Sequence, residues 1–203
     1  PYDQAEYTAQ MLLKYYKPDE LKKKTLLDAS ACIGGNTIGF APYLKKVIAV
    51  ENHPLHIELL THNVAQSALT NIEILPGNYL HLHAQLAEYA TRHVKPVSQS
   101  SALKSITPPS QIDIKLINPH SITIPSIVFF DPPWRNIQRC ILDDLYYTDD
   151  SNNEKSIAQI IFECFDMGVE TVMLKTPRRI QLEESTFRDA YRLYPRGTFP
   201  STH

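Results

Sequence analysis

Short runs of consecutive apolar residues, separated by longer amphipathic stretches, set the rhythm of this chain. Lys24 to Ser30, Val47-Ile48-Ala49-Val50-Glu51, Asn71 to Leu75, Ile127 to Asp131 and Glu170 to Lys175 read as strands, because strands covered on both faces show unbroken apolar runs. Helical patterns fall between them: Thr37 to Leu44, closed by Lys45-Lys46; His53 to Ala68, with Pro54 in a first-turn position where its missing N–H costs nothing; and residues 80–93. Strands alternating with helices at this spacing predict βαβ units and a parallel sheet. Ahead of them, residues 1–20 form an N-terminal helical segment in which Tyr7, Met11, Leu12, Tyr15 and Tyr16 share one face, and Pro18 ends it.

The rhythm breaks over residues 95–126, where five prolines sit among Ser, Gln and Thr. This stretch predicts an insertion with a loop and a small hairpin, Ile112–Leu116 and Ile122–Ile124. Further on, Asp143 to Asn153 reads as a polar loop, Glu154 to Met167 as a helix, and residues 178–203 as a last helix with a poor strand. The 203 residues predict a single domain, 1–203, and the opening on Pro1 predicts a piece of a longer chain.

Charge changes the picture only by exclusion. Lys+Arg number 20 and Asp+Glu 22, a formal charge of −2, so a broadly basic coat for nucleic acid is excluded and any phosphate contact is local. Three widely spaced cysteines without a CxxC predict a reducing, intracellular setting, nucleus or cytoplasm, and neither a disulfide framework nor a zinc site. No apolar run approaches the roughly 18 residues of a membrane span. Glycine is scarce, with 6 against 15 prolines, so each glycine marks a place where the backbone needs it.

Four features fall at the ends of predicted strands, where open α/β sheets bind ligands. After the first strand, Asp28-Ala29-Ser30-Ala31-Cys32-Ile33-Gly34-Gly35-Asn36-Thr37 makes a glycine turn whose N–H groups can approach a carboxylate or phosphate. Glu51, 23 positions after Asp28, ends the second strand at the spacing of an acid that grips ribose hydroxyls, or simply caps the strand end. Gly77-Asn78-Tyr79 follows the third strand, and its polar side chain could read an adenine edge. Asp131-Pro132-Pro133-Trp134 follows the most apolar run of the chain and is the specific signal. Two prolines fix the backbone there, so the Asp side chain and neighbouring carbonyls are held rigid. An amino group on a heteroaromatic ring is a poor nucleophile, and oriented acceptors can turn its lone pair toward an electrophile. Trp134 offers a face for base stacking, worth roughly 1–3 kcal/mol per base.

In this order the motifs resemble the class I S-adenosylmethionine-dependent methyltransferases. Gly34-Gly35-Asn36-Thr37 together with Pro132-Pro133-Trp134 is similar to the trimethylguanosine synthase family, whose members methylate the N2 amine of an RNA cap. The likeness covers roughly residues 1–80 and 126–178. It implies a Rossmann-like sheet of seven mostly parallel strands with helices on both faces, acting as a monomer on capped RNA or another nucleic-acid guanine. It implies S-adenosylmethionine as cofactor, held by Asp28, Ala29, Gly34, Asn36, Thr37, Glu51, Asn52, Asn78, Tyr79 and Asp131. Asp28 and Gly34 would flank the methionine moiety, Glu51 would take the ribose hydroxyls and Asn78 would face the adenine amine. Asp131 and the Pro132 carbonyl would hold the guanine N2, with Pro133, Trp134 and Arg135 on the base and its phosphates. Stacking on an N7-methylated, cationic guanine adds a cation–π contribution at Trp134. Four features depart from the family: Cys32 stands where the first loop glycine usually sits, Asn78 replaces an acid, Arg135-Asn136 follows Trp134 in place of Gly-Gly, and Asp131 replaces a Ser. Asp in that last place is commoner in enzymes acting on other guanine N2 or adenine N6 amines. A methyltransferase of internal bases and a non-catalytic subunit of the same fold are therefore the alternatives.

Overall fold

A computed structural model describes residues 2–93, 123–132, 140–141, 146–148, 152–175 and 180–181. Five strands form one parallel sheet: β1 (Thr25–Asp28), β2 (Lys46–Glu51), β3 (Ile72–Pro76), β4 (Ile127–Phe130) and β8 (Thr171–Leu174). Their order is β3-β2-β1-β4-β8. The register sets Asp28 beside Ala49 of β2 and Phe129 of β4, so β4 runs one residue and β2 two residues past the carboxyl end of β1. The chain reverses direction at β1, with β2 and β3 to one side and β4 and β8 to the other. That reversal is the topological switch point where such sheets bind ligands. Five central strands among the described residues stand where seven were expected; the added pairs are separate.

Those pairs are β5 (Cys140–Ile141) with β9 (Ile180–Gln181), and the antiparallel β6 (Tyr146–Thr148) with β7 (Glu154–Ser156). Part of the predicted polar loop is thus a strand, and the residues before Ile157 leave the predicted helix to pair with it. The helix α6 begins at Ile157, capped by the Ser156 hydroxyl, which accepts from the Gln159 N–H. The insertion hairpin falls outside the described residues except for Thr123 and Ile124, which are not in a strand, and the helix predicted near 183–191 lies wholly outside them.

Helices cover both faces. On one, Leu26, Val47, Ile127 and Phe129 pack with α1 (Tyr2–Leu12), α2 (Pro18–Leu21) and α3 (Gly35–Phe40), and Phe40 meets Phe129 edge-on at 4.9 Å. On the other, Leu27, Val50, Val128 and Phe130 pack with α5 (Tyr79–His93) and α6 (Ile157–Asp166). Leu60 of α4 (Pro54–Gln66) closes over Ala49 and Ala31. Pro42 explains why α3 stops at Phe40 and gives way to a single 3-10 turn instead of running to Leu44.

The N-terminal segment buries only part of the predicted face: Leu12 and Tyr16 pack on the core, and two alanines take the place of the other tyrosines. Ala5, Ala9 and Leu12 point inward, while Tyr7 and Tyr15 are 58% and 56% exposed. The reason is close approach: a Cβ on Gly39 of α3 would lie 3.1 Å from Ala5, so only small residues fit between the two helices. No helix among the described residues is long and apolar enough to cross a membrane.

Candidate active site

Asp28, the last residue of β1, is wholly buried, and the next residue's N–H pairs with the Phe129 carbonyl. Its Oδ2 accepts from the Thr37 hydroxyl at 2.7 Å, which ties the strand end to the helix that follows the glycine turn. Burial pushes its carboxyl up to about 6, against the opposing pull of that Thr37 bond; neighbouring Asp131 and Glu51 add to the rise. Gly34 precedes α3 with φ +93, and a Cβ there would lie 2.6 Å from Leu60 Cδ1, so this turn is built on a glycine. Cys32 adopts φ 50 in the same loop, doing with a side chain what glycine does without strain.

Glu51 explains how Cys32 is held there. Its Oε2 accepts the Cys32 N–H at 2.8 Å, and its Oε1 accepts the N–H groups of Asn52 at 3.0 Å and His53 at 2.8 Å. A carboxylate has about four acceptor sites, and these bonds fill three of them. One acceptor site remains for a ribose hydroxyl, and the expected two-handed grip would require the loop to give up a bond. Asn52 contributes its backbone N–H here while its residue is exposed.

Asn78 has both ends of its side chain engaged. Oδ1 accepts the Leu80 N–H at 2.9 Å, capping α5, and Nδ2 donates to the Thr148 carbonyl of β6 at 2.9 Å. The side chain of Tyr79, the next residue, packs in the core. It is buried, its hydroxyl bonds His83 Nδ1 at 3.0 Å, and its ring meets Phe130 edge-on at 5.3 Å. His83 Nε2 in turn reaches Glu163 Oε2 at 2.6 Å, and Lys155 of β7 reaches the same oxygen at 2.5 Å. Burial alone would raise the Glu163 carboxyl, yet these two partners hold it below the usual range.

Asp131 follows β4 beside the loop after β1. Its N–H donates to the Ser30 hydroxyl at 3.1 Å, and its Oδ2 accepts from Asn36 at 3.1 Å and from the Lys175 ammonium at 2.7 Å. Asn36 thereby links the glycine turn to the Asp-Pro-Pro turn. Pro132 is buried. Pro133, Trp134 and Arg135 lie outside the described residues.

The structure therefore brings Asp28, Ala29, Gly34, Asn36, Thr37, Glu51 and Asp131 into one constellation at the carboxyl ends of β1, β2 and β4. Sequence reasoning overlooked Ser30, Lys175 and Tyr147. Ser30 was legible as the hydroxyl two residues beyond Asp28, and Lys175 as the lone cation ending a buried strand. Tyr147 gave no signal, because the stretch around it reads as polar loop.

Residues 23–186 match the family described as RNA cap guanine-N2 methyltransferase. This chain belongs to that family. Among curated proteins, it is 39% identical over 57 residues to "Probable ribosomal RNA small subunit methyltransferase A" of Methanosphaera stadtmanae, covering 28% of this chain and 21% of the relative. The chain thus spans about a fifth of that relative's length. Among solved structures, a Pyrococcus horikoshii protein named as a candidate RNA methyltransferase is 12% identical at a TM-score of 0.46, covering 93% of this chain and 66% of its own. A dimethyladenosine transferase from Plasmodium falciparum is 14% identical at a TM-score of 0.34, covering 68% and 32%.

The cofactor of this class I family is S-adenosylmethionine, and the site suits it on two observations. Asp28 and Glu51 end adjacent strands and Asp131 follows the next one, as a cationic ligand needs. A buried hydroxyl, that of Tyr147, has no hydrogen-bond partner among the described residues.

Proposed function

We propose that the chain transfers a methyl group from S-adenosylmethionine to the exocyclic N2 amine of guanine in the 7-methylguanosine cap of RNA. The family match across residues 23–186 carries this reading. The cofactor supplies an electrophilic methyl on a sulfonium. What the protein must add is orientation, since the guanine amine loses its lone pair into the ring.

Asp131 is suited to that task. Its main chain is pinned by Ser30, and its carboxylate plane is fixed by Asn36 and Lys175. A fixed acceptor can take an N–H of the target amine and turn the nitrogen lone pair toward the cofactor side, where Asp28 and Glu51 stand. The Pro132 carbonyl would hold the second N–H, and Trp134 would stack on the base. As the N–C bond forms, the methyl–sulfur bond breaks with its electron pair returning to sulfur and S-adenosylhomocysteine leaving; Asp131 holds one N–H throughout, and the displaced amine proton passes to solvent.

Labelled cofactor with 7-methylguanosine diphosphate as acceptor tests the reading, with uncapped RNA as the contrasting acceptor. Label in the cap analogue is expected; label in uncapped RNA alone would overturn the cap assignment. A second reading, methylation of an internal guanine N2 or adenine N6, is favoured by Asp131 in place of Ser and by the local similarity to a ribosomal RNA methyltransferase.

A further inference from the structure

The hairpin of β6 and β7 leans on the site through Tyr147. The tyrosine ring packs on Tyr79 at 5.8 Å and on Phe130 at 5.9 Å, the residues next to Asn78 and Asp131. Thr148 is tied to Asn78, and Lys155, the ladder partner of Tyr147, to Glu163. So anchored, the ring lies against the residues that lead into the Asp131 turn and open α5, and its hydroxyl feels the Ser30 hydroxyl and the carboxylates of Asp28, Asp131 and Glu51. The oxygen is sealed from solvent and makes no hydrogen bond of full geometry among the described residues, although the Ser30 hydroxyl stands close by. Buried hydroxyls are almost always paired, so an orphan at the meeting point of the cofactor loop and the Asp131 turn calls for a ligand.

We propose that the Tyr147 hydroxyl is a cofactor contact that donates its hydrogen bond to the carboxylate of the methionine moiety. The inference rests on the cofactor reading above. S-adenosylmethionine is cationic at sulfur and at its ammonium, and Asp28, Glu51 and Asp131 suit those charges. Its one anionic group is repelled by the same three acids. A neutral donor among them relieves that conflict, and a tyrosine stays neutral there because burial, the largest influence, and the surrounding carboxylates hold its hydroxyl well above the ordinary phenol range.

Tyr147→Phe tests this, since it keeps the ring and its packing. Calorimetric titration of wild type and Y147F with S-adenosylhomocysteine and with 5′-methylthioadenosine, which lacks the amino-acid end, separates the possibilities. The expected result is about tenfold weaker binding of S-adenosylhomocysteine by Y147F, the scale of one hydrogen bond to a charged group. Binding of methylthioadenosine should be unchanged, and the ligand-free melting temperature unchanged or higher. Equal affinity for S-adenosylhomocysteine, an equal loss with both ligands, tighter binding by the variant, or a lower melting temperature would each overturn the assignment. Wild type that binds neither ligand would overturn the cofactor reading itself, and this inference with it.

Discussion

Two carboxylates end neighbouring strands of this sheet and live in opposite circumstances. Asp28 is sealed inside, bonded to a neutral hydroxyl, and burial pushes its carboxyl up to about 6. Asp131 is 18% exposed and meets a lysine ammonium at 2.7 Å. The contrast extends to their surroundings. The cradle around Asp28 is locked by main-chain N–H groups gathered onto Glu51, whereas the turn at Asp131 is held by side chains from three separate elements. A site on the main chain tolerates few changes; a site held by side chains is easily retuned. On the proposed function, cofactor recognition falls to the first and the choice of target amine to the second.

The largest effect should come from removing the charge in the buried half. Asp28→Asn is nearly isosteric, and the Thr37 hydroxyl can rotate to accept from the amide. Cofactor affinity should fall on the order of 100-fold with the loss of a charge-assisted contact. Stability should move the other way. The folded carboxyl titrates near 6 against an unfolded 3.8. Its stabilising contribution is fully present below about pH 4 and is lost as pH rises through 6, amounting to about 3 kcal/mol. Ligand-free wild type should therefore lose stability between pH 4 and 6 on Asp28's account, and D28N should lack that slope in denaturant titrations. A variant that binds the cofactor as tightly as wild type would erase the contrast between the two carboxylates.

Glu51→Ala should come next. Three N–H groups lose their acceptor, and since water reaches some of them the cost should be about 1–3 kcal/mol, seen as a lower denaturation midpoint. The same variant should free the Cys32 loop, read as faster amide exchange there. Unchanged exchange would mean that the loop holds itself.

Lys175→Met probes the other half. The pair it breaks is partly exposed, so stability should change by less than about 1 kcal/mol. Turnover should drop about tenfold with little change in KM, because Asp131 loses a positioning partner and binding surface is kept. A rise in KM at constant kcat would make Lys175 a binding group instead.

The smallest effect belongs to Cys32→Gly. A residue at φ 50 carries roughly 1 kcal/mol of strain that glycine does not, partly offset by glycine's freedom in the unfolded chain. A melting-temperature rise of a few degrees or less is expected, and a fall would show that the thiol side chain itself stabilises the loop.

The sheet was readable because its strands are short and mostly apolar, β4 without any interruption and β3 with only Glu73 breaking the run. The carboxyl-end residues followed, since strand ends in such sheets carry ligands whatever the side chains around them. The N-terminal helix was partly misread because tyrosines look like core, yet the packing there is set by how near Gly39 lets Ala5 approach. The hairpin that brings in Tyr147 was hidden for a different reason. Its strands are three residues each, with Glu154 and Lys155 of β7 facing Thr148 and Tyr147 and no apolar run. Aromatic packing against Tyr79 and Phe130 orders it, and that contact spans nearly seventy positions in the chain, beyond any local pattern.

The proposed function joins a cofactor cradle to a turn that would present a guanine amine, and the identity of the methylated nucleoside tests that union most directly. Wild-type protein incubated with S-adenosylmethionine and 7-methylguanosine-capped RNA, then digested to nucleosides and read by mass spectrometry, should yield a guanosine carrying methyl groups at both N7 and N2. Methyl groups found only on adenosine N6, with the cap unaltered, would contradict it.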